Sequence, residues 1–388
     1  MQFISAIIAA IALAAPAFAA PTALIHTVQK FEGETTGRYI VKLKDGVAKS
    51  TVFGTKKVKL THDWTLLNGF ASDFDAATLE SLRANPNVEY IAEDGIMHTM
   101  ATQTNAPWGL ARLSSVSKLT NQDTSALTYS YTYDDSAGAG VDIYIVDTGV
   151  LTTHSQFGGR ARWGATFGGY ADADGNGHGT HCAGTAAGSQ YGVAKAANII
   201  AVKILSDAGS GSVADIVSGL DWVASSAKSS GRPSIVSMSL GGSASTTLDN
   251  AVATLTAAGI HVAVAAGNDN ANAANTSPAR APSAVTVGAS TIADARASFS
   301  NFGAVVDIFA PGQNVISSWI GSNTATNTIS GTSMATPHIA GLIAYLIGKN
   351  GNQTPADMSD TIQRLSVRGV LSSIPSGTIN ALAQNINA

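Results

Sequence analysis

From residue 141 onward the chain alternates short apolar runs with amphipathic stretches, and nothing else in it restricts the fold so strongly. Residues 141–146, 199–205, 235–240, 260–266 and 284–288 are apolar and rich in β-branched side chains, the texture of strands buried on both faces. Between them, residues 214–226 place Ile216, Val217, Leu220 and Val223 on one helical face, and residues 247–258 do the same with Leu248, Val252 and Leu255. Strands that alternate with helices pair in parallel through crossovers, so the expected fold is a doubly wound, mostly parallel α/β sheet with helices on both faces. Such sheets keep their functional groups just past the C-terminal ends of the strands.

Three segments carry chemistry. Asp147-Thr148-Gly149 follows the first strand, and His178-Gly179-Thr180-His181 closes a glycine-rich polar loop. The third, Gly331-Thr332-Ser333-Met334-Ala335-Thr336-Pro337, leaves the polar loop 323–330 and enters an apolar helix over 339–347, stopped by Gly348. Alone, Ser333 reads as an N-cap and Asp147 as a turn carboxylate. Together the three supply a nucleophile, a base and a carboxylate to orient the base. Asn268, after the strand at 260–266, is either a turn residue or an amide donor to an oxyanion. His178, His181 and Cys182 also match zinc ligands, but no His-Glu-x-x-His and no cysteine pair supports a metal centre. Gly175-x-Gly177-x-Gly179 misses the dinucleotide spacing. If His178 opens a helix, His181 and Cys182 lie one turn on, and Cys182 is a small buried side chain.

Formal net charge is −4 and no basic block occurs, which speaks against nucleic-acid binding. Glycine (39 residues) and an apolar content of 45% fit a packed globular protein with many tight turns. The apolar run 4–15, ending in Pro16-Ala17-Phe18-Ala19, suits a cleaved secretory leader over residues 1–19, although it lacks an amino-terminal Lys or Arg. A membrane anchor is the alternative, and the run is short for one. No other stretch reads as a membrane span.

Residues 20–100 carry 9 Lys+Arg and 10 Asp+Glu, whereas the much longer stretch 101–388 carries 13 and 16 and no glutamate. This break marks a domain boundary. Strands over 39–44 and 88–93 and a helix over 76–84 make the first part a small α+β unit, either a binding module or a removable propeptide.

The segments Val146-Asp147-Thr148-Gly149, His178-Gly179-Thr180-His181-Cys182-Ala183-Gly184 and 331–337 follow the order Asp, His, Ser. With Thr104-Asn105-Ala106-Pro107-Trp108-Gly109-Leu110-Ala111-Arg112 and Ser298-Phe299-Ser300-Asn301-Phe302-Gly303, they resemble the subtilisin-like serine proteases, in particular the proteinase K branch and its secreted fungal members. The resemblance covers nearly all of residues 101–350, and residues 38–94 resemble that family's inhibitory propeptide. An α/β-hydrolase is disfavoured: its elbow needs glycine two places after the serine, where Ala335 stands, and its serine comes first in the chain.

The resemblance implies a secreted serine endopeptidase, active as a monomer on protein and peptide substrates. Ser333 is the nucleophile, His178 the base, Asp147 its partner, and Asn268 an oxyanion donor. Substrate walls are implied at Ser239-Leu240-Gly241 and Ala265-Ala266-Gly267, with a second rail at Gly209-Ser210-Gly211. The small residues imply broad cleavage with an apolar or aromatic residue before the cut bond, and no carboxylate among them favours Lys or Arg. Catalysis needs no cofactor; a structural calcium is implied at Pro282, Ala284 and Asp307. The propeptide, residues 20–100, is implied to inhibit the 101–388 enzyme and to be cut between Met100 and Ala101. Asn275-Thr276-Ser277 and Asn352-Gln353-Thr354 are candidate N-glycosylation sequons at Asn275 and Asn352. A catalytically silent secreted binding protein of the same fold is the competing function, and a fungal vacuole the competing destination.

Overall fold

The computed structural model describes residues 25–31, 35–53, 59–96 and 100–385, in two compact units. The leader expected over residues 1–19 lies outside the described residues. In the smaller unit Thr35–Leu43 pairs antiparallel with both Val88–Gly95 and Gly69–Ser72, inside a five-stranded sheet. Its longer helix, Ala76–Arg83, starts where the Asp75 side chain accepts from Thr78 N at 2.6 Å. Val41, Leu43, Phe70, Leu82, Val88 and Ile91 form its core.

The larger unit is built on a nine-stranded sheet. Across it run Ala161–Thr166, Asn198–Lys203, Asp142–Asp147, Ser234–Met238, His261–Ala265, Val285–Ser290 and Ile308–Pro311, every neighbouring pair parallel. Alternate residues of one strand serve opposite faces, as the two-residue period requires. Ile143 and Ile145 join the core beneath the helices His178–Ala187 and Thr332–Asn350, while Tyr144 and Val146 join that beneath Val213–Ser230 and Thr246–Ala257. Each large apolar side chain sealed this way contributes about 1.5–3 kcal/mol. Arg112, fully buried, forks onto Asp294 at 2.8 and 3.0 Å and pins the helix Trp108–Leu113. Among the described residues no helix is long and apolar enough to cross a membrane.

The strand Asp142–Asp147 is the switch point of the sheet. The chain leaves it to build Asn198–Lys203 on one side, then builds Ser234–Met238 on the other. A crevice opens between diverging connections there, at the C-terminal edge.

Two sequence readings need correction. The helix that was to stop at Gly348 runs on to Asn350 and ends at Gly351, which has φ +83°. Gly348 serves close packing instead: a Cβ there would stand 2.5 Å from Gly138 N. The polar run 323–330 is no simple loop, because Thr326–Ile329 pairs antiparallel with Val315–Ser318. Its half-exposed side chains hide a strand from any search for apolar runs.

Candidate active site

Asp147 ends its strand 1% exposed. His178 is the first residue of its helix, and its Nδ1 meets the two Asp147 carboxylate oxygens at 2.8 and 3.0 Å. That approach requires Gly179, since a Cβ there would fall 2.1 Å from Gly149 O. Burial pulls the His178 imidazole down, and the Asp147 carboxylate beside it outweighs burial, so its pKa stands well above the ordinary value. Burial pushes the Cys182 thiol up. Cys182 is therefore neutral at neutral pH, and Asp147 supplies the charge that His178 feels.

Ser333 is the second residue of Thr332–Asn350. Pro337, four residues on, has no N–H to give to the Ser333 carbonyl. That carbonyl accepts instead from Ser239 Oγ at 2.8 Å and from Cys182 Sγ at 3.4 Å. The Ser333 hydroxyl donates to Ser239 O at 3.2 Å. Rotation about its Cα–Cβ bond is what would turn it toward His178, and such catalytic bonds commonly tighten only with substrate.

Asn268 has an oriented amide. Its Oδ1 accepts from Thr332 N at 2.8 Å and from Thr332 Oγ1 at 2.9 Å. The oxygen is thus fixed, and Nδ2 is left as the free donor. Thr332, wholly buried, was not singled out from the sequence; its role appears only when its hydroxyl is seen between Gly267 N and Asn268.

Two cavities meet at Ser333. One of about 710 Å3 is lined by His178, Gly209, Ser210, Gly211, Ser239 and Leu240, with Leu205, Val213, Ile216 and Leu248 also in its wall. The other, about 520 Å3, has Gly241, Ala265, Gly267 and Asn268 in its wall. Ala266 lines neither; it is fully buried, with its carbonyl taking Asn301 Nδ2 at 2.9 Å. A carboxylate, Asp269, also lines the second cavity, together with Asn272, Asn275 and Thr276.

Asp147, His178 and Cys182 offer ligand atoms all within 4.8 Å of one another, a set able to coordinate a metal ion. His181 stands apart from this set: its Nε2 meets Val315 O at 3.0 Å, and burial pulls its pKa to about 3. Asp307 Oδ2 accepts from the N–H of Thr286 at 2.8 Å, two residues after Ala284. Met100 lines neither cavity; it opens the strand Met100–Ala106, which pairs with Tyr129–Asp134.

A serine at a helix start, an imidazole held by a buried carboxylate and an oriented amide, all on one crevice of a parallel sheet, define a serine hydrolase. Known proteins narrow this. A family profile described as "Subtilase family" matches residues 138–377, and one described as "Peptidase inhibitor I9" matches residues 54–100. The chain is 48% identical over 390 residues to "Subtilisin-like serine protease AsES" of Sarocladium strictum, covering 97% of this chain and 98% of that one. It is 50% identical over 359 residues to "Alkaline serine protease ver112" of Corniculantispora psalliotae, covering 90% of each. The solved "Crystal structure of a cold adapted subtilisin-like serine proteinase" shares 44% identity, covers 72% of this chain and 98% of that one, and superposes with a TM-score of 0.66. The chain belongs to the subtilase family. It is a secreted serine endopeptidase of broad action, carrying its own inhibitory propeptide domain.

Proposed function

We propose that Ser333, His178, Asp147 and Asn268 carry peptide-bond hydrolysis in this chain. Ser333 Oγ attacks the scissile carbonyl as His178 takes its proton. The tetrahedral oxyanion is met by Asn268 Nδ2 and the Ser333 backbone N–H. His178 then protonates the leaving amine, and water, deprotonated by His178, frees the acyl group and restores Ser333. Asp147 holds the imidazole tautomer and stabilises its cation. The observation that carries this reading is the pair of contacts at 2.8 and 3.0 Å between the buried Asp147 carboxylate and His178 Nδ1, in the crevice that Ser333 lines.

The segments 209–211 and 239–241 offer main-chain groups to a substrate bound as an added strand. Glycines in both walls suit main-chain recognition and hence broad cleavage. The cavity of about 520 Å3 takes the residue before the cut bond, with apolar or aromatic side chains preferred. Asp269 at its wall extends the range to Lys and Arg. Leu205, Val213, Ile216 and Leu248 give the larger cavity an apolar wall for a residue further upstream.

A structural calcium would be held by the carbonyls of Pro282 and Ala284 and the Asp307 carboxylate. Oxygen donors are what calcium takes. Burial pushes the Asp307 carboxyl up to about 6, with the Thr286 N–H opposing it, and a desolvated carboxylate of this kind is stabilised by a cation. Calcium supplies rigidity here, and no catalytic step involves it.

Residues 1–19 act as the leader, 20–100 as the propeptide and 101–388 as the enzyme, cut between Met100 and Ala101. Of the two sequons, Asn352 is the better acceptor. Its Oδ1 is held by the buried His261 at 2.9 Å, which leaves Nδ2 free on an exposed residue. In the other sequon Ser277 is buried and bonded to Ser245 N at 2.8 Å, and Asn275 borders the substrate cavity.

The test is Ser333→Ala. Peptidase activity should vanish, and reaction with a peptide aldehyde or sulfonyl fluoride with it, while the circular dichroism spectrum stays that of the parent. Activity near the parent level would sink the assignment.

A further inference from the structure

The helix His178–Ala187 has a glycine, Gly177, at its N-cap and no capping side chain of its own. Asp174, three residues upstream, does that work from outside. Its Oδ1 accepts from Asn176 N at 3.1 Å and Gly177 N at 2.8 Å, and its Oδ2 from Thr180 N at 3.0 Å. Two hydroxyls complete the shell: Thr148 Oγ1 at 2.9 Å on Oδ1 and Thr180 Oγ1 at 2.6 Å on Oδ2. Both threonines are buried, and both reach back to the turn that carries Asp147. Thr148 is the next residue and accepts from Gly179 N at 3.0 Å, while Thr180 accepts from Leu151 N at 2.8 Å.

We propose that Asp174 is a positioning residue for the Asp147–His178 pair: its carboxylate caps the helix that His178 opens and ties that helix, through Thr148 and Thr180, to the turn bearing Asp147. The inference rests on the reading of Asp147, His178 and Ser333 as the catalytic set. All five groups around Asp174 donate, so a carboxylate satisfies them, whereas an amide would turn two N–H groups toward other donors.

A second consequence is electrostatic. A helix start is a positive end, and an imidazole placed there is made less basic. The Asp174 carboxylate offsets that end and keeps His178 a competent base. The other groups around His178 are Asp147 from the strand, Cys182 and His181 on its own helix, and the neutral Ser333 and Ser239. Beyond Thr148 lies Lys203, whose ammonium donates to Thr148 O at 2.6 Å and pairs with Asp207 at 2.8 Å.

The experiment compares mature Asp174→Asn and Thr148→Val with the parent on a peptide p-nitroanilide over a range of pH. Asp174→Asn should lower kcat about tenfold or more with KM within about threefold. It should also move the acid midpoint of kcat/KM downward by about 0.3–1 pH unit, because a negative charge has left the helix start. Thr148→Val keeps the charge, so kcat should fall with the midpoint unmoved. A parent-like kcat in either variant overturns the proposal. So does an Asp174→Asn enzyme whose melting temperature drops while its pH midpoint stays put, since that is a purely structural effect. If Asp174→Asn does not mature, the His178 Nδ1–H proton resonance is titrated in the uncut Ser333→Ala chain with and without the substitution. The same downward shift is expected there, and its absence is equally fatal. Retained activity in Ser333→Ala alone would remove the catalytic assignment itself. A dead Ser333→Ala beside a normal Asp174→Asn removes only the role of Asp174.

Discussion

Ser239 and Ser333 exchange two hydrogen bonds, each hydroxyl donating to the other residue's carbonyl, at 2.8 and 3.2 Å. The pairing follows from Pro337, which leaves the Ser333 carbonyl without its helical donor. Ser239 is nearly buried, so water cannot easily replace it. Ser239→Ala leaves a buried acceptor to the weak thiol donor Cys182. We expect a loss of about 1–3 kcal/mol in unfolding free energy, and a fall in kcat as the helix start loosens. Denaturant titration and initial rates check both, and a variant as stable as the parent would show the pairing to be incidental.

Asn268→Ala should lower kcat by about 10²–10³ with a smaller change in KM, because the bond it gives strengthens as the oxyanion forms. Steady-state kinetics on one peptide amide decide this. A loss confined to KM would mean that Asn268 binds the ground state.

Activity and one part of stability should trade places with pH. His178 acts as a base only when neutral, so kcat/KM should fall as pH drops through its pKa, with a midpoint above about 6.5. The same raised pKa means that the protonated imidazole beside Asp147 stabilises the fold. That contribution is full below the unfolded value near 6.5 and is lost as pH rises through the folded value. A kcat/KM profile flat down to about pH 4 would contradict the assignment.

Removing calcium should shorten the half-life at elevated temperature, since an ion bound only by the folded chain stabilises it. Asp307→Asn should respond little to chelator, and without calcium it should be no less stable than the parent at alkaline pH. There the buried Asp307 carboxylate, raised to about 6, is charged and unfavourable. Equal half-lives for the parent with and without chelator would rule the site out.

Amino-terminal sequencing of the active enzyme should read Ala101-Thr102-Gln103-Thr104, and Ser333→Ala should stay uncut after leader removal. Cleavage of highly purified Ser333→Ala would defeat self-processing. A start displaced by one or two residues would correct only the register.

What could be read from the chain followed from locality. The five apolar strands and two amphipathic helices announce themselves within short windows, and their boundaries fall within a few residues of those found. Asp147 and Asn268 stood out because each follows a legible strand, Ser333 because it stands at the start of a legible apolar helix, and His178 because of its glycine-rich motif. Thr332 did not, since its importance lies in its bonds to Asn268 and Gly267, which are distant in the chain. Thr326–Ile329 escaped because it is polar, and Gly348 misled because close backbone packing and helix termination use the same residue. Ala266 was grouped with its neighbours, yet just past the strand it is fully buried and lines neither cavity.

The ladder between Met100–Ala106 and Tyr129–Asp134 sets Ala101 opposite Tyr133 and Met100 opposite Asp134. A substrate in the crevice also offers its main chain as an added strand. The same amides and carbonyls cannot serve both partners at once. This segment is therefore either digestible or architectural, never the two together. In the uncut chain the ladder is already formed, so it must open before the Met100–Ala101 bond can lie in the crevice. If the cut falls there, re-formation of the ladder would withdraw the new amino end from the crevice, and ordinary β-pairing would make activation a ratchet with no need of a separate lock.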